Sequence, residues 1–422
     1  MVIKINKTRL YFFILFLYVM FARTFNLVSI NIFVATIFTI YTLFLKKDVN
    51  LFYSFIIFLI PNLNLFLFNG VPLINILIVV SMVWLIFFEK IYLNDGERKF
   101  LIIIIFFIVY DLIHFLFNNY FNMIENIILY SSIVASFFFY VYQKKSNSIE
   151  KYVNPFICGT IGSLISGLLF MISTDKLANG VDITNRNLGN AGDPNYLGLY
   201  ILISITFLIN QIRKDKLTFK KLIIIIFLAI GGFSTSSRTF MLILIVELLP
   251  FIYTILRDFI VKFQLRKIIL IGVGIVIIIF FLTIFNENIR FIFERFNDAS
   301  NLDELTNGRS DIALTYLNKL ATSGAHLLFG FGISKYPINM EIFAYAHNAY
   351  VEILVTVGII GMLLIIFLII YFLYTHNVKI FSMRFLPVII FLFIAFGINI
   401  VEVECFYFLF ALLINYSLEN NK

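Results

Sequence analysis

The chain has 422 residues, of which 61% are hydrophobic and only 13% are charged, whereas soluble domains have about 25% charged residues. This composition excludes a water-soluble globular protein. The net charge of +8 does not indicate a nucleic-acid-binding protein, because the basic residues are spread over many short loops and form no basic domain.

Apolar runs of about 20 residues, the length that crosses the hydrocarbon of a bilayer, recur along the whole chain. Backbone groups in lipid need internal partners, so these runs must be helices. We predict an all-α fold, a polytopic transmembrane helical bundle of about 12–14 spans within a single integral membrane domain, residues 1–422. The predicted spans are 10–22, 27–45, 51–68, 72–88, 99–117, 124–142, 154–172, 195–212, 219–234, 239–256, 267–285, 348–373, 385–400 and 404–417.

Pro61 predicts a kinked or re-entrant third span, and the last two spans are short enough to be one broken hairpin. Lys and Arg cluster in alternate loops, for example at Lys46-Lys47 and from Arg213 to Lys221, and are few in the short loops between. Cytoplasmic loops attract Lys and Arg, so both termini are predicted to be cytoplasmic.

The largest polar segment, residues 286–347, is then a large extracytoplasmic loop. Within it, Ile312, Tyr316, Leu317 and Leu320 recur at helical spacing. We expect an amphipathic helix across the outer mouth of the bundle, capped by Ser310 or Asn307 and ended by Gly324.

Two candidate site clusters on the outward side lie at predicted helix starts. Asp193-Pro194 has the pattern of a helix cap followed by the first helical residue, which would turn Asn195 and Tyr196 toward the outer mouth. These residues either bind substrate or belong to an ordinary helix start. Ser237-Arg238 places a cation where the charge bias disfavours one. Arg238 is either a snorkelling helix-end arginine or a planar donor that binds diphosphate oxygens.

Two further clusters belong to the long loop. Arg309, after Gly308, opens the predicted helix, where a cation opposes the helix dipole; it is a binding residue or a solvated loop arginine. His347-Asn348 stands where the loop returns to an apolar helix. The histidine could be a general base for a sugar hydroxyl or a donor to phosphate, and the alternative is a cap for the next helix.

Intramembrane acids support a different class of protein, a transporter, because such residues can mark ion pathways. They are Glu247, Glu402 and Glu404. Asp111 and His114 share a helix face but supply only two ligands, so we expect no metal site and read them as buried polar packing. The chain has no nucleotide-binding glycine motif, and no cofactor is expected.

In this order and topology, the motifs resemble those of the O-antigen polymerase and O-antigen ligase superfamily. His347-Asn348, nine residues and then Gly358-Ile359-Ile360-Gly361 match a pattern shared by the ligases. Ser237-Arg238, Gly308-Arg309 and Leu328-Phe329-Gly330-Phe331-Gly332 are similar to further motifs of the group, and Asp193-Pro194-Asn195 resembles one frequent in capsule and exopolysaccharide polymerases. Ala313 or Tyr316 stands where the group often has a tryptophan.

The resemblance implies glycosyl transfer on the outer side of the bacterial cytoplasmic membrane, without a metal, a cofactor or nucleic acid. Donor and acceptor would be glycans linked to undecaprenyl diphosphate, within membrane lipid, and a flippase and a chain-length regulator are possible partners. Arg238 and Arg309 would offset charge on the leaving diphosphate, and His347 would accept the hydroxyl proton or orient the acceptor. Ser237, Asp193, Asn195, Tyr196 and Asn348 would bind substrate.

Three functions stay open at this point. The first is a polymerase of O-antigen, capsular polysaccharide or exopolysaccharide, which the Asp193-Pro194-Asn195 element favours. The second is an O-antigen ligase that uses lipid A–core as acceptor. The third is a flippase or other transporter of lipid-linked oligosaccharides, which the long outward loop disfavours.

Overall fold

The structure is a computed structural model that is helical almost throughout, with one two-stranded hairpin among the residues it describes. This confirms the all-α prediction. The described residues are 7–68, 70–89, 91–115, 123–145, 149–174, 186–215, 218–261, 272, 279, 283, 286–297, 308–332, 345–376, 378–380, 382–400 and 403–418.

The helices follow the predicted spans closely along most of the chain. They are α1 Lys7–Ala22, α2 Val28–Ile40, α3 Val49–Leu59, α4 Leu73–Phe88, α5 Asp95–Phe115, α6 Met123–Lys145, α7 Glu150–Ser173, α8 Pro194–Asp215, α9 Phe219–Phe233, α10 Arg238–Val261, α11 Asn286–Asn297, α12 Arg309–Ala321, α13 Gly324–Phe329, α14 Ala349–Thr375, α15 Leu386–Ile394 and α16 Glu404–Leu418. The antiparallel strands β1 Leu67–Phe68 and β2 Val71–Pro72 form the hairpin.

Four described helices are long and apolar enough to cross a membrane, by length and composition: Asn126–Lys145, Glu150–Ser173, Pro194–Lys214 and Ala349–Thr375. Shorter apolar helices accompany them at the N-terminus, in the region of α4 and at the C-terminus. The chain is therefore an all-α polytopic membrane protein. The number of spans and their orientation stay predictions.

The third predicted span, 51–68, is wrong in its extent. The α-helix ends at Leu59, and Pro61 lies in the 3-10 turn Ile60–Asn62, after which the chain enters the β1–β2 hairpin. Proline has no N–H for the helical ladder, so the predicted break occurs at this residue. Most of the predicted span 267–285 lies outside the described residues.

Several helices begin where a polar side chain satisfies backbone N–H groups that have no partner within the helix. Asp48 accepts the Leu51 N–H at 3.0 Å at the start of α3. Asn94 and Glu97 form a reciprocal capping box before α5, with the Glu97 N–H donating to Asn94 Oδ1 at 2.8 Å and the Asn94 N–H donating to Glu97 Oε2 at 3.0 Å. These short polar residues set the helix ends within an otherwise apolar sequence.

The chain divides into two compact units, each assembled from two separate stretches. The first unit comprises Met1–Leu73 and Glu150–Asp298, and the second comprises Ile74–Ile149 and Ala299–Lys422. That the whole chain acts as one membrane domain stays a prediction.

A buried polar network stabilises the first unit around Asn190, which is only 3% exposed. The Asn190 side chain donates to Asn62 Oδ1 at 3.0 Å, accepts from Ser166 Oγ at 3.0 Å, and its backbone N–H donates to Ser163 Oγ at 2.8 Å. Because buried polar groups are costly unless paired, this network fixes the segment before α8 against α7 and the 3-10 turn that follows α3.

The core of the second unit joins α6 to α16. Phe139 and Phe408 stack with ring centroids 4.1 Å apart. Asn415 donates to the Tyr140 carbonyl oxygen at 3.0 Å and to Gln143 Oε1 at 2.8 Å. Aromatic packing and buried amide bonds therefore set the register between these two apolar helices.

Candidate active site

The Asp193 motif forms a capped helix start, as predicted. The Asp193 carboxylate accepts the backbone N–H groups of Asn195 at 2.7 Å and Tyr196 at 3.3 Å. Pro194 is the first residue of α8. Asp193 therefore has a structural role at the start of α8, which fixes Asn195 and Tyr196 in its first turn.

The structure brings two separately predicted motifs together, because Ser237 Oγ donates to Asn195 Oδ1 at 2.9 Å. Ser237 also precedes α10, and its Oγ accepts the Phe240 N–H at 3.3 Å. The starts of α8 and α10 are thus adjacent, and Arg238, the first residue of α10, lies half-buried beside them.

The turn that presents Arg238 is buried and conformationally unusual. Ser234, Thr235 and Ser236 are fully buried, and Ser236 has φ +49°, a left-handed backbone conformation that non-glycine residues rarely adopt. Such conformations persist only where the surroundings hold them, and they concentrate at functional sites.

Residues 186–190 provide those surroundings, which the sequence reasoning missed. Arg186 Nε donates to the Thr235 carbonyl oxygen at 2.8 Å. Asn187 Nδ2 donates to Ser234 Oγ at 3.0 Å, and its backbone N–H donates to the Ser234 carbonyl oxygen at 2.9 Å. Only the density of asparagines in this segment could have signalled a buried polar role.

Arg309 begins α12, as predicted, but the predicted cap Ser310 is wrong. Gly308 precedes the helix at φ +77°, where no side-chain cap is present. Ser310 lies inside the helix, and Asn307 lies outside the described residues. Gly324 does not end the helix either: α12 stops at Ala321, because the backbone turns there before α13 begins at Gly324.

Helix α12 packs on α14, which confirms the predicted amphipathic helix. Its buried residues Tyr316 and Leu320 form a cluster with Ala346 and Val355. Ala346 directly precedes His347, so the apolar face of this helix lies against the segment that carries the histidine.

His347 has φ +48° and is half-buried. The next residue, Asn348, is the cap of α14, since its Oδ1 accepts the N–H groups of Tyr350 at 3.1 Å and Val351 at 3.3 Å. The capping role considered for this motif therefore belongs to Asn348.

The Arg309 and His347 motifs approach the same segment of the second unit. Arg309 Nη1 donates to the Gly397 carbonyl oxygen at 2.7 Å. The Ala349 N–H, two residues after His347, donates to the Ala395 carbonyl oxygen at 2.8 Å. Residues 395–397 thus link these two parts of the candidate site, although they are distant in sequence.

The glycine motifs around Gly330 and Gly358 interlock. Gly358 interrupts α14 with φ +66°, ψ −174°, which prevents the carbonyl groups just before it from completing the helical ladder. The N–H groups of Phe331 and Gly332 donate instead to the carbonyl oxygens of Val355 at 2.9 Å and Thr356 at 2.8 Å. The Leu-Phe-Gly-x-Gly turn, residues 328–332, thereby supplies the donors that these two carbonyl groups lose at the break in α14.

An apolar cavity of about 520 Å³, open to the surface at Phe393 and Phe396, lies in the second unit. Aliphatic and aromatic side chains of α5, α6, α14, α15 and α16 line most of it. Tyr350, three residues after His347, is one of the lining residues. The cavity has the chemistry of a site for a hydrocarbon chain.

The acids that supported a transporter have local partners where they are described. Glu247 accepts from Thr206 Oγ1 at 2.7 Å, and Glu404 accepts from Asn75 Nδ2 at 2.8 Å. Glu402 and the side chain of His114 lie outside the description, while Asp111 accepts from the Tyr130 hydroxyl. Among the described residues no three His, Cys, Asp or Glu side chains are grouped to hold a metal.

The predicted site residues divide between the units. Asp193, Asn195, Tyr196, Ser237 and Arg238 belong to the first unit, whereas Arg309, His347 and Asn348 belong to the second. Each group is internally connected by the contacts above. That both groups act on one substrate stays a prediction.

A family model described as Wzy_C, O-antigen ligase, matches residues 222–366, about a third of the chain. The matched region runs from α9 into α14 and contains Arg238, Arg309 and His347. Comparison with curated proteins and with solved structures found no match. The family match confirms the resemblance to the O-antigen polymerase and ligase superfamily, whose members are glycosyltransferase-like membrane enzymes.

Proposed function

We propose that this chain, with its O-antigen ligase (Wzy_C) region at residues 222–366, polymerises oligosaccharide repeat units carried on undecaprenyl diphosphate. The product would be O-antigen, capsular polysaccharide or exopolysaccharide, made on the outer side of the bacterial cytoplasmic membrane. The observation that carries the proposal is the presence of Arg238, Arg309 and His347, in ordered local settings, within the matched region.

In the proposed reaction, an acceptor hydroxyl attacks the anomeric carbon of the donor glycan. A new carbon–oxygen glycosidic bond forms, and the bond between the anomeric carbon and the phosphate oxygen breaks. His347 accepts the hydroxyl proton, and undecaprenyl diphosphate leaves with the bonding electron pair. The diphosphate is already a good leaving group, so the reaction needs neither ATP nor a nucleotide sugar.

The arginines have the chemistry that a diphosphate requires. A guanidinium presents a planar fork of donors that matches phosphate oxygens and keeps its charge at any physiological pH. We propose that Arg238 and Arg309 bind the diphosphate and offset the charge that develops as it leaves. The buried turn before Arg238 supports this role, because a fixed backbone reduces the reorganisation needed during the reaction.

The apolar cavity of the second unit supports a lipid-linked substrate. We propose that it accommodates part of a polyprenyl chain while the polar end of the molecule lies near Tyr350 and His347. An isoprenoid chain matches the aliphatic and aromatic lining without leaving polar groups unpaired.

Ligase activity is the alternative, favoured by the description of the matching family. Both activities use the same donor and differ in the acceptor. The Asp193-Pro194-Asn195 element, which resembles one frequent in polymerases, is the reason for preferring polymerisation. A flippase is less well supported, because the long polar loop of residues 286–347 is unlike the short loops usual in such transporters.

Deletion of the gene from the source bacterium is expected to leave single repeat units on the carrier or on lipid A–core. Surface glycan and lipid-linked intermediates, separated by size and analysed by mass spectrometry, measure this result. Full-length chains stranded on the carrier would assign the ligase function instead. Repeat units confined to the inner leaflet would indicate a flippase, and unchanged glycan would contradict all three proposals.

The proposed orientation has a separate test by cysteine labelling. After Cys158 and Cys405 are replaced, Asn318→Cys on exposed α12 should react with a membrane-impermeant maleimide in intact spheroplasts. Lys46→Cys, exposed in the loop between α2 and α3, is the matched control and should react only after lysis. The reverse pattern would place the long loop in the cytoplasm and overturn the proposed location of the reaction.

A further inference from the structure

Glu352 is a buried carboxylate for which neither the fold nor the proposed reaction yet accounts. It lies in the first turn of α14 and is only 7% exposed. Both of its carboxylate oxygens are buried, and neither completes a hydrogen bond of ordinary geometry with a described residue. Among the carboxylates of the described residues, Glu352 is the one in which both oxygens are buried without such a hydrogen bond.

The start of α14 does not need this carboxylate as a cap. Asn348 Oδ1 accepts from Tyr350 and Val351, the Ala349 N–H donates to the Ala395 carbonyl oxygen, and the Glu352 N–H donates to the Asn348 carbonyl oxygen at 3.0 Å. The first N–H groups of the helix are therefore satisfied without Glu352. An unpaired buried carboxylate is destabilising, so its presence calls for another explanation.

The position of Glu352 relative to His347 supplies that explanation. Side chains on a helix lean toward its N-terminus, which directs Glu352 back to the segment before the cap. The backbone N–H groups of His347 and Ala346 lie near its carboxyl group, at a geometry looser than that of an ordinary hydrogen bond. His347 is one of the few described non-glycine residues with positive φ, a conformation that its surroundings must maintain.

We propose that Glu352 is a positioning residue, whose carboxylate accepts the Ala346 and His347 N–H groups and holds His347 in its left-handed conformation. Glu352 would thereby orient the imidazole toward the acceptor hydroxyl without itself touching substrate. The expected effect of Glu352 on the reaction rate rests on the proposed function, whereas its expected effect on the conformation of His347 does not.

Two substitutions of similar volume separate positioning from packing. Glu352→Gln keeps an oxygen with two lone pairs that can accept both N–H groups, whereas Glu352→Met keeps only the volume. Because Glu352→Met leaves the Ala346 and His347 N–H groups without their proposed acceptor, its thermal midpoint in detergent should be lower than that of Glu352→Gln. Glu294→Gln, on the exposed face of α11, is the control for carboxylate loss.

The structural readout does not depend on catalysis. Purified protein is modified with diethyl pyrocarbonate, and modification of each histidine is followed by mass spectrometry. The modification rate of His347 should change severalfold in Glu352→Met and should return to the wild-type rate in Glu352→Gln. His326, stacked on Phe331 with centroids 4.0 Å apart, is the internal reference. An unchanged His347 rate in Glu352→Met would overturn the positioning role even if the protein proved not to be a polymerase.

The kinetic readout uses purified protein with a lipid-linked repeat unit as donor and acceptor. Glu352→Met should lower kcat by roughly 10- to 100-fold with little change in KM, the loss expected when a catalytic group is misplaced. Glu352→Gln should retain most of the activity. Equal loss in both variants would show that an acceptor oxygen at this position is not sufficient and would contradict positioning, whereas an inactive wild-type protein would count against the proposed function alone.

Discussion

Replacing Gly358 with alanine is expected to destabilise the second unit by about 3–5 kcal/mol, a large effect for one methyl group. An added Cβ would lie 2.4 Å from the Leu328 carbonyl oxygen and 2.5 Å from the Gly330 nitrogen. Both are backbone atoms that cannot rotate away. The backbone conformation, φ +66° and ψ −174°, is in addition accessible almost only to glycine and would add about 1–3 kcal/mol of strain.

Gly330→Ala should have a similar effect, because the contact is reciprocal. Its Cβ would lie 2.3 Å from the Thr356 carbonyl oxygen and 2.5 Å from the Gly358 nitrogen, at φ +80°. Thermal midpoints in detergent and the amount of folded protein in membranes measure both variants. Equal stability of wild type and Gly358→Ala would show that the two glycines are not in this close contact.

Two other glycines serve as matched controls for this series. Gly308 has φ +77° but nothing within 4 Å of an added Cβ, so Gly308→Ala reports backbone strain alone, about 1 kcal/mol. Gly324 has neither a positive φ nor a neighbour within 4 Å, so Gly324→Ala should be neutral or slightly stabilising at the start of α13. The series separates the cost of the close backbone contact from the cost of conformation.

His347→Ala and Arg238→Ala are each expected to abolish long-chain polymer while leaving the amount of membrane protein unchanged. Loss of the proton acceptor and loss of charge stabilisation at the leaving group typically lower rates by about 10²–10⁴-fold and 10²–10³-fold respectively. Complementation of a deletion strain, with surface glycan resolved by size, measures the result. Polymer of normal length from either variant would remove that residue from the mechanism.

Conservative and control variants sharpen this test. Arg238→Lys should recover little activity, since an ammonium group cannot reproduce the planar fork. Arg290→Ala, whose side chain is 77% exposed on α11, should behave as wild type. If Arg238 and His347 serve one chemical step, the double variant should be little worse than either single variant, whereas independent roles would give multiplied losses.

Arg309 is a poorer test residue, because its guanidinium donates to the Gly397 carbonyl oxygen at 2.7 Å. Its removal would combine loss of this bond with loss of any contact to substrate. The structural bond and a catalytic role are compatible, since a guanidinium has five donors.

Much of the local structure could be predicted from composition and short motifs. Asp193-Pro194 starts α8 because the Asp193 carboxylate accepts a free N–H group of the first turn and Pro194 has no N–H group that needs a partner there. The spacing of Tyr316 and Leu320 identified α12 because burial of an apolar face follows the 3.6-residue period. Pro61 correctly marked the break after α3, although the predicted span ran too far.

Other features could not be read from local patterns, because they depend on contacts between distant parts of the chain. The residue before α12 is Gly308 in a left-handed conformation, and no pattern of capping side chains signals such a helix start. Glu352 was not among the predicted site residues, and only its burial in the folded chain makes it a candidate. The network around Asn190 joins residues more than 100 positions apart.

The amino-acid sequence by itself determined that this is a helical membrane protein, because hydrocarbon requires every backbone group of an apolar run to be paired within its own helix. It also gave the resemblance to the O-antigen polymerase and ligase superfamily, which the family match over residues 222–366 confirms. Tertiary structure alone decided that the Gly330 turn satisfies the carbonyl groups released at Gly358 and that Asn195 meets Ser237. These are directional contacts between distant segments, and they exist only once packing has brought the partners to bonding distance.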